Sequence, residues 1–379
     1  MIHEAGSLDT TSAHRFEVLR TIGQGGMGRV ELARQPGLAR EVAVKRLRAG
    51  RGTPQASRAL IREARLMGGL EHPNIPPIYM LGRSEDEPVL AMKRIEGTTW
   101  AGALDDPEDP GWAERGGDHL EGNLEVLMQV CQAVHFAHSR QTLHLDIKPE
   151  NVMLGRFGEV YLIDWGIARR LEEEVDAEAP VLVGTPAYMA PEQASGSKHI
   201  DARVDIYGLG ATLYELLTLR PPFEGAHAAD IMRQIVDDEP PRVRKLNPKV
   251  PAALETIVHR CLAKDPDQRY ASVEAVEMDL RLFLDGHAIT AENDSWIRRL
   301  HSFYRRQRRA VSTRLHVGGA EIIDDIRADD VRHHGAVAQL PRVAAPPALR
   351  RPVQHGLSVK ADGRNVGSRI AVPLEEGIH

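Results

Sequence analysis

The stretch HLDIKPEN at residues 144–151 places Asp146, Lys148 and Asn151 within six positions of one another. A carboxylate can orient and deprotonate a hydroxyl, an ammonium can meet a moving phosphoryl group, and an amide oxygen can hold a cation. Phosphoryl transfer needs those three parts, because it asks a protein for positioning and charge neutralisation more than for covalent chemistry. Pro149 stiffens the loop between them. Thirteen residues beyond Asn151, YLIDWG reads as a buried strand ending in Asp164 and followed by Gly166, a natural place for a metal-binding carboxylate at a hinge.

A second group of residues points to phosphates. IGQGGMGRV sets Gly23, Gly25 and Gly28 at G-x-G-x-x-G spacing and ends in Val30. Alone, such a string is a plain turn as readily as a nucleotide loop, and a dinucleotide fold uses it too. A dinucleotide site opens a helix after its last glycine, whereas here RVELARQ continues as a strand. The result is a hairpin that can offer backbone N–H groups to phosphates. Lys45 ends the apolar run VAVK fifteen residues after Val30, within reach of such a hairpin, and Glu63 on the following helix is available to pair with it. A lysine in that setting is otherwise simply solvated.

The elements that must position these residues follow from periodicity. FEVLRTIG, GRVELARQ and REVAVKRL alternate as strands of a small antiparallel sheet. A helix follows from about Thr53, with Pro54 in its first turn and Leu60, Ala64 and Met67 at helical spacing. EHPNIPPIYMLG and PVLAMKRI read as two more strands. Between Gly97 and Asn123 the composition is that of an acidic loop, with Asp105, Asp106, Glu108 and Asp109. It reads as solvated, with docking of basic substrates as the alternative. Helices are expected from Leu124 and over 203–219, 226–237, 251–263 and 271–284. Strands first and helices afterwards predict an α+β fold with a small β-rich lobe joined to a larger helical one.

Bulk numbers narrow the class. The chain has 379 residues, 42% of them hydrophobic and 27% charged, and its net charge of −6 argues against general attraction to nucleic acid. Cys131 and Cys261 are too far apart in sequence for a zinc or disulfide framework and read as small core residues in a reducing cytoplasm. No export signal and no apolar run of membrane-spanning length is expected. Three regions are expected: a flexible extension over 1–15, the catalytic domain over 16–286, and a basic segment with a mostly disordered tail over 287–379. Within the last, residues 296–309 carry Trp296, Leu300 and Phe303 on one helical face and Arg298, Arg305, Arg308 and Arg309 largely elsewhere. A surface helix packed on the domain and a weak contact with an anionic membrane surface are the two readings.

The ordered set Gly23/Gly25/Gly28, Lys45, Glu63, HLDIKPEN, DWG and GTPAYMAPE resembles the eukaryotic-like serine/threonine protein kinases of bacteria, over roughly residues 16–284. The resemblance implies a two-lobed fold that transfers the γ-phosphoryl group of ATP, with Mg²⁺ or alternatively Mn²⁺, to Ser or Thr hydroxyls of protein substrates. It implies that Ile22, Gly23, Gln24, Gly25, Gly26, Met27 and Gly28 cover the nucleotide. Val30 and Ala43 would lie above the adenine, Met92 beside it and Met153 beneath it. Lys45 would hold the α- and β-phosphates and pair with Glu63, Asp146 would be the base, Lys148 the γ-phosphate contact, and Asn151 with Asp164 the metal ligands. Thr185 would act locally beside Asp146 and Lys148. Glu192 would pair with Arg269, Asp205 would brace the catalytic loop, and His144 would be structural.

Two positions depart from the family pattern. Trp165 stands where Phe usually follows the metal-binding Asp, and should pack near Met67, Ile78 and His144. Leu145 stands where most relatives carry an Arg that receives a phosphorylated activation loop, and leucine cannot donate to a phosphate. From Trp165 to Gly184 there is also no Ser, Thr or Tyr, while Glu172, Glu173, Glu174, Asp176 and Glu178 make the segment acidic. Both halves of the usual switch are missing. The alternatives to a kinase are a pseudokinase scaffold, against which Lys45, Asp146, Asn151 and Asp164 all stand, and a kinase-like small-molecule phosphotransferase, which would lack GTPAYMAPE.

Overall fold

A computed structural model describes residues 16–25, 28–48, 53–84, 87–106, 108–109, 119–171, 184–197 and 199–293. Gly26 and Met27, the acidic stretch 172–183, and the extension and tail regions 1–15 and 294–379 lie outside the described residues.

Five strands, β1 (Glu17–Gln24), β2 (Gly28–Gln35), β3 (Arg40–Leu47), β4 (Ile78–Ser84) and β5 (Glu87–Lys93), form one antiparallel sheet in the order β1-β2-β3-β5-β4. β3 is therefore central, and its alternation works on two covered faces. Val42 and Val44 pack with Ala33, Val89 and Ala91, while Lys45 looks the other way, toward α1 (Pro54–Gly68). α1 starts where expected, because the Thr53 hydroxyl accepts from Ala56 N–H and Pro54 tolerates the first turn. Its buried stripe is Leu60, Glu63, Ala64, Leu66 and Met67, so Glu63 is the one acid on an otherwise apolar face. Such a position is stable only if the acid is paired.

The second lobe is built on α3 (His119–Ser139) and α5 (Arg203–Thr218). The 97–123 region differs from expectation. Gly97–Thr99 is a strand, β6, and Trp100–Asp105 a helix, α2, while α3 begins five residues before Leu124. Burial overrides composition here. Trp100 is fully buried, its indole N–H donates to Asn123 Oδ1 at 2.7 Å, and the Thr99 hydroxyl caps Gly102 N–H. Beyond α3 come β7 (Thr142–Leu143), β8 (Val152–Gly155), β9 (Val160–Leu162) and β10 (Arg169–Arg170), arranged as the small sheets β6-β8-β9 and β10-β7. β9 stops at Leu162, two residues short of the expected strand end at Asp164.

Of the remaining helices, α6 (Ala228–Asp237), α8 (Ala252–Cys261) and α9 (Val273–Leu284) lie close to their expected spans, while the four-residue helices α4 (Pro191–Ala194), α7 (Val243–Leu246) and α10 (Thr290–Asn293) were not expected. Cys131 and Cys261 are both free and fully buried, and burial pushes the Cys261 thiol up to about 12. Packing continues past 286. Ile289 and Ala291 are buried, and the buried carboxylate of Asp279 accepts from Thr290 N–H at 2.7 Å and Ala291 N–H at 3.0 Å. Tyr270 donates to the same carboxylate at 2.7 Å.

Arg269 is fully buried and binds Glu192 through two parallel bonds of 2.7 Å, and its guanidinium also donates to the carbonyls of Arg203 and Ala263. Glu192→Ala would leave that cation buried without its anion. Denaturant unfolding should show a loss of about 3–5 kcal/mol, and Glu192→Gln a smaller one.

Candidate active site

The site gathers where the two lobes face each other. Lys45 Nζ lies 2.6 Å from Glu63 Oε1 and 3.5 Å from Asp164 Oδ1, so one cation joins β3, α1 and the loop after β9. Burial works against the charge on Lys45, but the carboxylates of Glu63 and Asp164 outweigh it and its pKa ends above the ordinary lysine value. The Glu63 side chain is 6% exposed and that of Asp164 53%. The pair therefore has a dry half, which fixes the lysine, and a wet half, which opens to the cleft.

The strand register ties the glycine-bearing strands to Lys45. Val30 pairs with Gly23 on one side and Lys45 on the other, and Ala43 pairs with Met92. The glycines are not equivalent. A Cβ on Gly28 would come within 2.7 Å of the Arg46 carbonyl oxygen, whereas one on Gly25 would meet open space. Gly28 is thus required by close approach of β2 to β3. Met153 on β8 sits opposite Tyr161 on β9, and Ile22 and Gln24 lie at the exposed end of β1.

The loop at 144–151 forms a second cluster. Asp146 Oδ2 lies 2.8 Å from Lys148 Nζ and Oδ1 accepts from Thr185 N–H at 2.9 Å, while Lys148 also donates to the Thr185 hydroxyl. Burial opposes the Asp146 charge, yet the hydrogen bonds from Lys148 and Thr185 prevail and hold its carboxyl below the usual range. Asn151 Nδ2 donates to both the carbonyl and Oδ2 of Asp146 at 2.8 Å. With the nitrogen so occupied, the amide oxygen is the atom left for a cation. Asn151 and Asp164 could then each offer an oxygen to a divalent cation.

The loop's shape depends on Asp205 of α5. Its fully buried carboxylate accepts from His144 N–H at 2.9 Å and Leu145 N–H at 2.8 Å, and lies 2.8 Å from His138 Nε2. Leu145 has φ +70° and Asp164 φ +60°, conformations that cost a residue with a Cβ about 1–2 kcal/mol. The bonds from Asp205 over-determine the first, and Gln193 adds a bond to the Leu145 carbonyl at 3.1 Å. His144 is fully buried, burial lowers its pKa, and its ring is held by the Ile163 carbonyl at 3.1 Å and by an edge contact with Trp165. Trp165 itself is buried in the same cluster as Met67 and donates to the Leu162 carbonyl. Sequence alone does not single out His138 and Gln193, since a histidine on one long helix and a glutamine in a four-residue one carry no motif.

An apolar cavity of about 340 Å³ lies elsewhere, between α2, α3 and the C-terminal end of α5, with Leu104, Leu120, Leu216 and Val250 among its walls. None of the site residues described above lines it.

The sequence signature of the protein kinase domain matches residues 16–280. The chain is 35% identical over 300 residues to the serine/threonine-protein kinase PknD of Protochlamydia amoebophila, an alignment covering 72% of this chain and 30% of that protein. It is 36% identical over 272 residues to the serine/threonine-protein kinase PrkC of Bacillus subtilis, covering 72% and 41%. With the serine/threonine-protein kinase PknB of Mycolicibacterium smegmatis it shares 35% over 291 residues, covering 74% and 45%. The chain thus spans less than half the length of these relatives.

Asp205→Asn replaces one acceptor oxygen by a donor and leaves a loop N–H unpaired. A loss of about 1–3 kcal/mol is expected in denaturant unfolding. Burial alone would raise the Asp205 pKa, but His138 and the loop N–H groups hold it below the usual range. A depressed folded-state pKa means that its contribution is complete above the unfolded value of about 3.9 and is lost as pH falls through the folded value. Stability measured from pH 6 downward should fall more steeply below about pH 4 in the parent than in Asp205→Asn.

Proposed function

The chain belongs to the protein kinase domain family, and from that premise we propose that it transfers the γ-phosphoryl group of ATP to Ser or Thr hydroxyls of protein substrates. The observation that carries the reading is Lys45 held between Glu63 and Asp164, with Ile163 beside Asp164 bonded to the Asn151 carbonyl and Asn151 in turn bonded to Asp146, the partner of Lys148. Lys45 serves the α- and β-phosphates, kept charged by its two acids. Gly23 to Gly28 and Ile22 cover the nucleotide, with Val30, Ala43, Met92 and Met153 around the base. Asp146 orients the acceptor hydroxyl and takes its proton, and Lys148, shared with Thr185, neutralises charge at the transferred group. Mg²⁺, or Mn²⁺ in its place, held by Asn151 and Asp164, supplies further charge neutralisation at the phosphates.

The intact set of polar residues favours an enzyme over a scaffold, and the GTPAYMAPE segment favours a protein over a small-molecule acceptor. We place this activity in the cytoplasm. Among the described residues no helix is long and apolar enough to cross a membrane.

Leu145 shapes the regulation we propose. Its side chain packs against the core of the helical lobe and its carbonyl binds Gln193, so the position contributes packing where a phosphate receiver would offer a cation. The catalytic loop is then set by Asp205 and Gln193 without a phosphate.

ATP-dependent phosphorylation of generic protein substrates should be readily measured for the parent and fall about 10²–10⁴-fold in Asp146→Asn; equal rates would refute the assignment of Asp146. After phosphatase treatment, checked by intact mass, activity should persist in the phosphate-free chain. Activity that disappears with the last phosphate and returns on rephosphorylation would overturn the regulatory reading.

A further inference from the structure

Residues 93–97 join β5 to β6, from the five-stranded sheet to the helical lobe. Lys93 belongs to both sides of that junction. Its backbone is part of the sheet, pairing with Val42 and donating from N–H to the Pro77 carbonyl at 3.1 Å. Its side chain goes to the β8–β9 hairpin instead. The ammonium lies 2.9 Å from Glu159 Oε1 and 5.2 Å from the centre of the Tyr161 ring, and the Tyr161 hydroxyl donates to the same Glu159 oxygen at 3.1 Å. The hydrogen bond with Glu159 raises the Lys93 pKa, so the cation is present throughout the working pH range.

The hairpin it grips is not an arbitrary one. Tyr161 is the cross-strand partner of Met153, so both side chains share a face of the hairpin. The same hairpin runs on to Asp164 two residues past its end. A second line of charges accompanies the first: Arg94 contacts Glu41 of β3 and lies 3.0 Å from Glu96, and Arg156 in the hairpin turn lies 3.5 Å from Glu96. Arg156 N–H also donates to the Glu96 carbonyl at 3.1 Å.

We propose that Lys93 and Glu159 are positioning residues, an ionic clasp that fixes the hairpin bearing Met153 against the strand bearing Met92 and so sets the width of the nucleotide slot. The clasp rests on the kinase reading for the identity of the ligand. It touches neither the phosphates nor Asp146, so it acts on nucleotide affinity and leaves the chemical step alone. With side chains 30% and 33% exposed the pair is partly screened, and its effect is modest and salt-dependent.

The test is calorimetric titration of the full chain with Mg²⁺ and the non-hydrolysable ATP analogue AMP-PNP, beside steady-state kinetics. Lys93→Met and Glu159→Gln should each weaken AMP-PNP binding about three- to fivefold and raise KM for ATP by a similar factor, with kcat within about twofold. Lys93→Arg should restore most of the affinity. The double variant should be no weaker than either single one, since both remove the same interaction. Raising NaCl should narrow the gap between the parent and Lys93→Met. Parent-like binding by Lys93→Met, additive losses in the double variant, or an equal fall in kcat would each overturn the clasp. A parent that binds AMP-PNP with this pattern yet phosphorylates nothing would sink the activity and leave the clasp standing; a parent that does not bind AMP-PNP would sink both.

Discussion

The buried carboxylate of Asp205 is the constraint from which the site's geometry follows. A charge with no exposure must be satisfied within the fold, and the groups that satisfy it are the N–H groups of His144 and Leu145 and the ring of His138. Those bonds hold Leu145 in a left-handed conformation that its side chain disfavours. Asp146 is the next residue, so the direction in which its carboxylate points is decided from beneath the loop. The same logic recurs in the small lobe, where Glu63 sits on an apolar helix face and can remain there because Lys45 meets it. In each case the position of a polar group of the candidate site is enforced by an acid that the core cannot leave unpaired.

Much of this was legible in the sequence. The strand Lys45, the acid Glu63 and the cluster Asp146, Lys148 and Asn151 are polar residues at fixed offsets from apolar runs, and the structure brings them together. Helix starts were legible where a cap announces them, as Thr53 and Pro54 do for α1. The 97–123 region was not, because its acidic and glycine-rich composition hides a short helix held by one buried indole, Trp100, and a partner twenty-three residues away, Asn123. The end of β9 was also misplaced. An apolar run continues through Ile163, but pairing with β8 stops at Leu162 and Asp164 turns to positive φ. Contacts such as Gln193 with Leu145, or Lys93 with Glu159, join residues whose types are common on any surface, and only the folded chain reveals them.

The two lobes differ in how they hold their parts. The helical lobe uses buried, saturated pairs such as Arg269 with Glu192, which make it stiff and intolerant of single truncations. The junction between lobes uses half-exposed pairs, Lys93 with Glu159 and Arg94 with Glu96, each individually weak. That division leaves the junction held by contacts that salt can weaken, whereas the helical lobe's pairs are shielded from it.

The attachment of α10 to Asp279 ties the last described turn to the interior of the helical lobe. Because Thr290 and Ala291 both donate to one buried carboxylate that Tyr270 also holds, replacing that acid would strand two backbone donors and a phenol at once, so α9 and α10 behave as one packed unit rather than as two separable helices.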